Sequence, residues 1–251
     1  MKTKKLIATV IASVLAAATL AGCGSTSSKE IKFGTNAEFP PFEFISANGV
    51  IGEYDGIDIA IAKQIGEDIG QTAVIENMEF DSLLVALQNG QIDAVIAGMT
   101  VTEERAESVD FSTPYYQATQ VIITKEGSGI SSAADLADKF TAVVQGYTGE
   151  ACIIDLGYKY ESFKKGTECI MELVNGKCDA VVIDSATADK YVADNEGLVI
   201  VEDSDVFGNE EYAIAVQKGN TELLNKINKS IEKMLSDGTI ADLGDKYCEA
   251  E

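Results

Sequence analysis

Residues 83–98 read LLVALQNGQIDAVIAG and residues 169–184 read CIMELVNGKCDAVVID, one unit met twice at an offset of 86. Leu87, Asn89, Gly90, Asp93, Ala94 and Val95 recur as Leu173, Asn175, Gly176, Asp179, Ala180 and Val181. Each copy reads as an apolar helix, a glycine that stops it, and a short buried strand. A chain holding this unit twice is expected to form two similar α/β lobes, with the strands ending at the equivalent points Gly98 and Asp184. Strand carboxyl ends are where open α/β sheets bind ligands. Helix–glycine–strand units are common, and six identities in sixteen positions also arise by chance, so the repeat alone leaves coincidence open.

Two further stretches carry helical periodicity. Ile57, Ile61, Ile65 and Ile69 recur every four residues after a Gly52 to Gly56 turn region, and Leu223, Leu224, Ile227, Ile231, Met234 and Leu235 fall on one face before a stop at Gly238. The second of these needs a surface to cover, and lobe one is the expected place. With 251 residues, 46% of them hydrophobic, the chain is long enough for one large or two medium domains with proper cores.

Charge and residue choice exclude several functions. Forty-one acidic residues stand against 19 basic ones, and a net charge of −22 repels a polyanion, which speaks against nucleic-acid binding. There is no histidine, which removes Ser-His-Asp and Cys-His catalysis and histidine metal sites. No cofactor motif is present, and no Walker A sequence. Arg105 is the one arginine among the 19 basic residues. That singles it out for what only a planar guanidinium does.

At the amino terminus Lys2, Lys4 and Lys5 precede an uncharged stretch from Leu6 to Leu20. Fifteen residues fall short of the roughly 20 a spanning helix needs, so the pattern is that of a signal peptide over residues 1–22. Leu20, Ala21, Gly22 and Cys23 resemble a bacterial lipobox, with Cys23 as the lipidated residue and residues 23–30 as its tether. More than one acyl chain, at about 0.8 kcal/mol per buried methylene, makes a stable anchor. Cleavage before Cys23 removes three lysines and no acid, taking the charge from −22 to −25. Cys152, Cys169, Cys178 and Cys248 then remain, either as up to two disulfides or as buried free thiols, with no metal spacing.

Phe39-Pro40-Pro41-Phe42, Gly56-Ile57-Asp58-Ile59, the run from Gly98 to Arg105 and Phe111-Ser112-Thr113-Pro114-Tyr115 together resemble the amino-acid-binding proteins of ABC importers, the family 3 solute-binding proteins. The resemblance runs from about Ile31 to Tyr247. One departure is Ala60, which stands where the family signature usually has an acid. The resemblance implies a two-lobed α/β fold of the type II periplasmic-binding-protein kind, with a ligand cleft between the lobes. Two hinge crossings are expected near Gln117 to Thr119 and Phe207 to Tyr212, giving lobe one as 31–117 plus 212–251 and lobe two as 118–211.

A free amino acid offers a carboxylate, an ammonium and a side chain. Arg105 can hold the carboxylate by two parallel hydrogen bonds, which lysine cannot reproduce, and the family's carboxylate-binding arginine matches this position. Thr148 and Gly149 open a helix in lobe two whose first amides favour the same carboxylate. Asp184 matches the family's ammonium-binding carboxylate, and in lobe one the Gly98 carbonyl and the Thr100 hydroxyl, with Met99 between them among the ligand-binding residues, would complete the ammonium and carboxylate contacts. Phe39 and Phe80 match its aromatic walls. Asn36 stands where cation-selective relatives have aspartate, and Gln145 and Ile183 are also uncharged, which points to a polar or neutral side chain. A basic ligand is the alternative, with Glu38, Glu43 or Glu79 supplying the anion.

The expected function is therefore a monomeric, lipid-anchored extracytoplasmic receptor that hands a free L-amino acid to an ABC permease with a cytoplasmic ATPase. A cyclohexadienyl-dehydratase-like enzyme on the same fold is a second class, in which Asp184 or a glutamate would carry acid–base duty. A sensory module is a third, working only through a partner.

Overall fold

The computed structural model describes residues 29–46 and 53–248. The leader, Cys23 and the tether before Lys29 lie outside the described residues.

Along the chain, β1 (Glu30–Thr35) precedes a small sheet of β2 (Glu38–Phe39), β3 (Glu43–Ile45) and β4 (Tyr54–Asp55). Then come α1 (Ile57–Ile69), β5 (Thr72–Asn77), α2 (Leu83–Gln88), β6 (Ala94–Val95), α3 (Glu103–Ser108) and β7 (Val109–Phe111). The long β8 (Tyr116–Lys125) leads into β9 (Phe140–Val144), α4 (Thr148–Leu156), β10 (Lys159–Phe163), α5 (Gly166–Val174), β11 (Ala180–Asp184), α6 (Ser185–Ala193) and β12 (Leu198–Val201). The chain returns through β13 (Asn209–Tyr212) to β14 (Ala215–Gln217), α7 (Thr221–Ser236) and α8 (Thr239–Cys248).

These elements make two α/β lobes. One sheet has the order β5-β1-β6-β14-β7 and the other β10-β9-β11-β8-β12. In each, the strand of the repeat pairs in parallel with an earlier strand of its sheet: β6 with β1, β11 with β9. The recurring residues have matching physical roles. Gly90 and Gly176 take φ of 68° and 71°, a left-handed turn that suits glycine, and each N–H closes on the carbonyl of the preceding leucine, Leu87 or Leu173. Asp93 exchanges two bonds with Lys32, its N–H donating to the carbonyl at 2.9 Å and its carboxylate accepting from the N–H at 2.8 Å. Asp179 does the same with Phe140, at 2.8 and 2.9 Å. The repeated aspartate thus ties the chain just before the repeat's strand to the neighbouring strand in both lobes.

Between the lobes, β8 and β13 run antiparallel from Tyr116↔Tyr212 to Thr119↔Asn209. Beyond Gln120, β8 joins the second sheet, while β14 follows β13 into the first. Helix α1 buries Ile57, Ile61 and Ile65, as its period demands. Helix α7 packs on α1 with Ile227, Ile231 and Met234 buried, and Ser230 donates to Asp68 at 2.6 Å. Leu235, expected on that face, is exposed, because it lies one residue beyond Met234 and so about 100° round the helix. Gly238 does stop α7, but the chain re-enters a helix at once, with Asp237 capping the Thr239 N–H at 3.0 Å. Cys152, Cys169, Cys178 and Cys248 are free thiols, each pushed above the usual thiol pKa first of all by burial.

Candidate functional site

The loops beyond β6 and the carboxyl end of β11 meet the start of α4 in a pocket between the lobes. Its polar walls are Gly98, Thr100, Arg105, Thr148 and Asp184, and its apolar walls Phe39, Phe80, Ala97 and Tyr147.

Arg105 is set by its own helix. The Thr102 hydroxyl caps α3 by accepting the Arg105 N–H at 3.1 Å. The guanidinium then spans both lobes, Nη1 donating to the Thr100 carbonyl at 2.7 Å and Nη2 to the Gly146 carbonyl at 3.0 Å, and it lies 5.2 Å above the Phe80 ring. Burial pulls its pKa down, and Asp184 and then Glu210 pull it back up. Among the described residues no carboxylate forms a salt bridge with it, and its direct contacts are the two carbonyls and the ring face.

Asp184 ends β11 and is buried, accepting the Tyr212 hydroxyl at 2.6 Å. Its pKa is pushed up to about 7, first by burial and then by Glu210, with Tyr212 and Gln120 opposing. Gly98 takes φ of 51°, and a Cβ there would stand 2.5 Å from Phe39 Cε1, so the close approach of that ring requires glycine. The Gly98 N–H donates to Asp58 Oδ2 at 2.7 Å, and Tyr115 donates to the same oxygen at 2.9 Å. Glu43 lies fully buried beside Asp58, its pKa raised well above the usual range by burial first and by Asp58 second.

From lobe two, Thr148 opens α4 and Gly149 follows, buried so tightly that a Cβ would meet the Val182 carbonyl oxygen at 2.7 Å. The Thr148 hydroxyl accepts from Gln120 Nε2 at 3.0 Å and donates to Glu210 Oε2 at 2.9 Å. The Thr100 hydroxyl donates to the same Glu210 oxygen at 2.8 Å. At the apolar end, Tyr147 stands edge-on to Phe39 and Phe80, with ring centroids 5.4 and 4.6 Å apart. Its hydroxyl donates to Asn36 Oδ1 at 3.2 Å, while Asn36 Nδ2 donates to the Met78 carbonyl at 2.9 Å. Across the cleft, Lys165 pairs with Glu38 and Lys164 with Asp81, both at 2.7 Å.

Of the residues singled out from the sequence, Phe39, Phe80, Gly98, Thr100, Arg105, Thr148 and Asp184 line the pocket together. Asn36 reaches it through Tyr147, and Gly149 packs behind Thr148. Met99 is buried, with its carbonyl accepting the Ala213 N–H at 3.1 Å. Gln145 is exposed on the loop and is not brought to the pocket. None of the three glutamates considered as a partner for a basic ligand lines it: Glu38 is paired, Glu43 is beneath Gly98 with Asp58, and Glu79 is exposed. Sequence reasoning passed over Ala97, Tyr147, Gln120, Glu210 and Tyr212. Tyr147 lies between Gln145 and Thr148, both singled out, and Glu210 and Tyr212 lie inside the expected crossing, but nothing local showed that their side chains face the cleft.

The family profile for bacterial extracellular solute-binding proteins, family 3, matches residues 31–250. The chain is 30% identical over 258 residues to the arginine-binding extracellular protein ArtP of Bacillus subtilis (strain 168), covering 99% of each chain. Among solved structures, a mutant of ArgBP from T. maritima superposes with a TM-score of 0.82 at 40% identity, over 87% of this chain and 94% of that one. An ancestral arginine-binding protein bound to glutamine gives 0.81 at 44% identity, over 87% and 97%. Length of match, identity and superposition agree with the two-lobed architecture, and this chain belongs to the bacterial extracellular solute-binding proteins, family 3.

Proposed function

We propose that this chain is an extracytoplasmic receptor that captures one free L-amino acid between its lobes and delivers it to an ABC permease, ATP hydrolysis residing on separate chains. The observation that carries the reading is the presence in one pocket of a guanidinium with no carboxylate partner among the described residues, Arg105, and a buried carboxylate, Asp184. Opposite charges fixed at two points in a partly desolvated cleft match the carboxylate and ammonium of a zwitterion. The first amides of α4 add a second grip on the carboxylate from lobe two. The family is one of transport receptors rather than enzymes.

The side-chain end favours a polar, uncharged ligand, because Asn36 is neutral with both polar ends engaged and the nearby acids Glu38 and Asp81 are tied to lysines. A basic ligand is the second reading, favoured by the relatives named for arginine. The pairing of β8 with β13 supports lobe limits of 31–117 plus 212–251 and 118–211. Cys23 serves as the lipid anchor, and the receptor acts as a monomer.

A melting-shift panel over the common amino acids tests the reading, since a ligand at 100 times its Kd stabilises by about 2.7 kcal/mol. A shift with one or a few L-amino acids is expected, and none with any of them would overturn it. Metabolic labelling with a fatty-acid analogue should mark the full chain and leave Cys23→Ala unmarked.

A further inference from the structure

Glu210 has no part in the reading above, yet it is the most heavily engaged carboxylate at the cleft. Its Oε2 accepts from the Thr100 hydroxyl at 2.8 Å, the Thr148 hydroxyl at 2.9 Å and Gln120 Nε2 at 3.3 Å. Thr100 belongs to the first lobe's site, Thr148 and Gln120 to the second, and Glu210 to the crossing strand β13. One oxygen therefore binds both sides of the cleft from behind.

A hydroxyl has a single proton and two lone pairs. The Thr100 and Thr148 protons are both committed to Glu210, and Thr148 spends a lone pair on Gln120 as well. Toward the cleft the two hydroxyls can then only accept. We propose that Glu210 is a positioning residue that sets this polarity, turning Thr100 and Thr148 into acceptors for the ligand's α-ammonium and leaving its carboxylate to Arg105 and the α4 amides. Glu210 thereby selects for an α-amino group. This rests on the amino-acid reading of the same pocket.

The charges act in the same sense. Around Asp184 stand Arg105 from α3, Glu210 and Tyr212 from β13, Glu43 from β3, and Tyr147 and Cys152 at α4. Arg105 is the lone cation of that group, facing two carboxylates on the cleft side. A ligand with a carboxylate but no ammonium adds a further anion, whereas a zwitterion brings its own compensation. Glu210 is also the largest cause after burial of the raised Asp184 pKa.

The test is calorimetry on the wild-type protein and Glu210→Gln with two ligand pairs: L-glutamine against 4-carbamoylbutanoate, and L-arginine against 5-guanidinopentanoate. The second member of each pair lacks only the α-amino group. The expected result for the pair that binds is a discrimination at least about tenfold smaller in Glu210→Gln, with the des-amino acid bound more tightly than by wild type. The fall in affinity on acidification should also move to lower pH, because Asp184 loses an anionic neighbour. An unchanged ratio would overturn the proposal whatever the pH profile does, and is the result a purely structural glutamate would give.

Thr100→Val serves if Glu210→Gln does not fold. Selective loss of the amino acid is expected, and equal weakening of both ligands would make the hydroxyl a carboxylate donor and overturn the proposal. If the wild-type protein binds neither, the pair is replaced by the amino acid that the melting-shift panel finds and its des-amino acid; a protein that binds no common amino acid overturns the amino-acid reading and this inference with it, whereas binding with unaltered discrimination in the variants overturns the inference alone.

Discussion

Tyr212 donates its hydroxyl to Asp184 Oδ1 at 2.6 Å, joining the returning crossing strand to the last residue of the second repeat. The carboxylate that would meet a ligand's ammonium is thus aimed by a residue of the hinge region.

The first prediction is a pH dependence of opposite sign for stability and for affinity. Burial, as the largest cause, pushes the pKa of Asp184, 3% exposed, up to about 7 and that of Asp58 beneath Gly98 up to about 6. The native state therefore holds these protons more tightly than the unfolded chain, whose aspartates titrate near about 4. Their stabilising contribution is complete below about pH 4 and is lost as the pH rises through about 6 to 7. An ammonium ligand needs ionised Asp184, so affinity falls as the pH drops below about 7. Between about pH 8 and about pH 5 the ligand-free protein should melt progressively higher while the ligand-induced shift shrinks. Asp184→Asn should bind weakly throughout, and a ligand-induced shift that grew on acidification would argue against Asp184 as the ammonium site.

Arg105→Lys should lose most affinity although the charge is kept. The guanidinium reaches the Thr100 and Gly146 carbonyls at once while lying over Phe80, and a lysine ammonium is a point donor that cannot hold all three. A loss of about 2 to 4 kcal/mol in binding is expected for a desolvated bidentate pair. Titration calorimetry near wild-type affinity would remove Arg105 from the site.

Asn36→Asp should shift preference toward lysine, arginine or ornithine. The buried carboxamide donates to the Met78 carbonyl and accepts from Tyr147, and aspartate would turn the first contact into an oxygen-on-oxygen repulsion. An anion at that point costs stability in the free protein, by about 1 to 3 kcal/mol, and a cationic ligand recovers part of it. Competition between glutamine and arginine, measured on both proteins, reads the change. If the unmodified protein already prefers a basic amino acid strongly, the neutral-pocket reading fails.

Gly98→Ala should destabilise the fold and weaken binding together. The alanine would sit at φ of 51° with its Cβ 2.5 Å from Phe39 Cε1, and the ring has Phe42 stacked behind it at 5.6 Å. Backbone strain and ring displacement of this kind cost about 1 to 3 kcal/mol, readable by urea unfolding. A variant with unchanged midpoint and affinity would show that the ring can move freely.

Much of the lobe architecture was legible because it is written in local patterns. The four-residue spacing of Ile57, Ile61, Ile65 and Ile69 reports one buried face of α1, since a helix returns to the same side every 3.6 residues. The repeat was equally legible, and the structure supplies its cause: Asp93 and Asp179 close the same pair of bonds on the neighbouring strand. Arg105 stood out by being the lone arginine, and its family motif placed it. The C-terminal helix pair was only half visible: Gly238 marked the end of α7, but the second helix, Thr239–Cys248, carried no reading, and it is Asp237 that caps the chain back into it.

By itself the sequence determined the helix faces, the doubled helix–strand unit, the exclusion of histidine chemistry, and the residue types able to meet a zwitterion. Only the tertiary structure decided which of them converge. Thr100 and Glu210 meet across 110 residues of chain, and Asn36 and Tyr147 across 111. Gln145, two residues from Tyr147, turns outward while Tyr147 is buried against Phe80. Residue periodicity reports which side of an element is buried, but a contact between lobes depends on how the two lobes are set by β8 and β13. That setting is a rigid-body relation, and no local pattern of side chains encodes it.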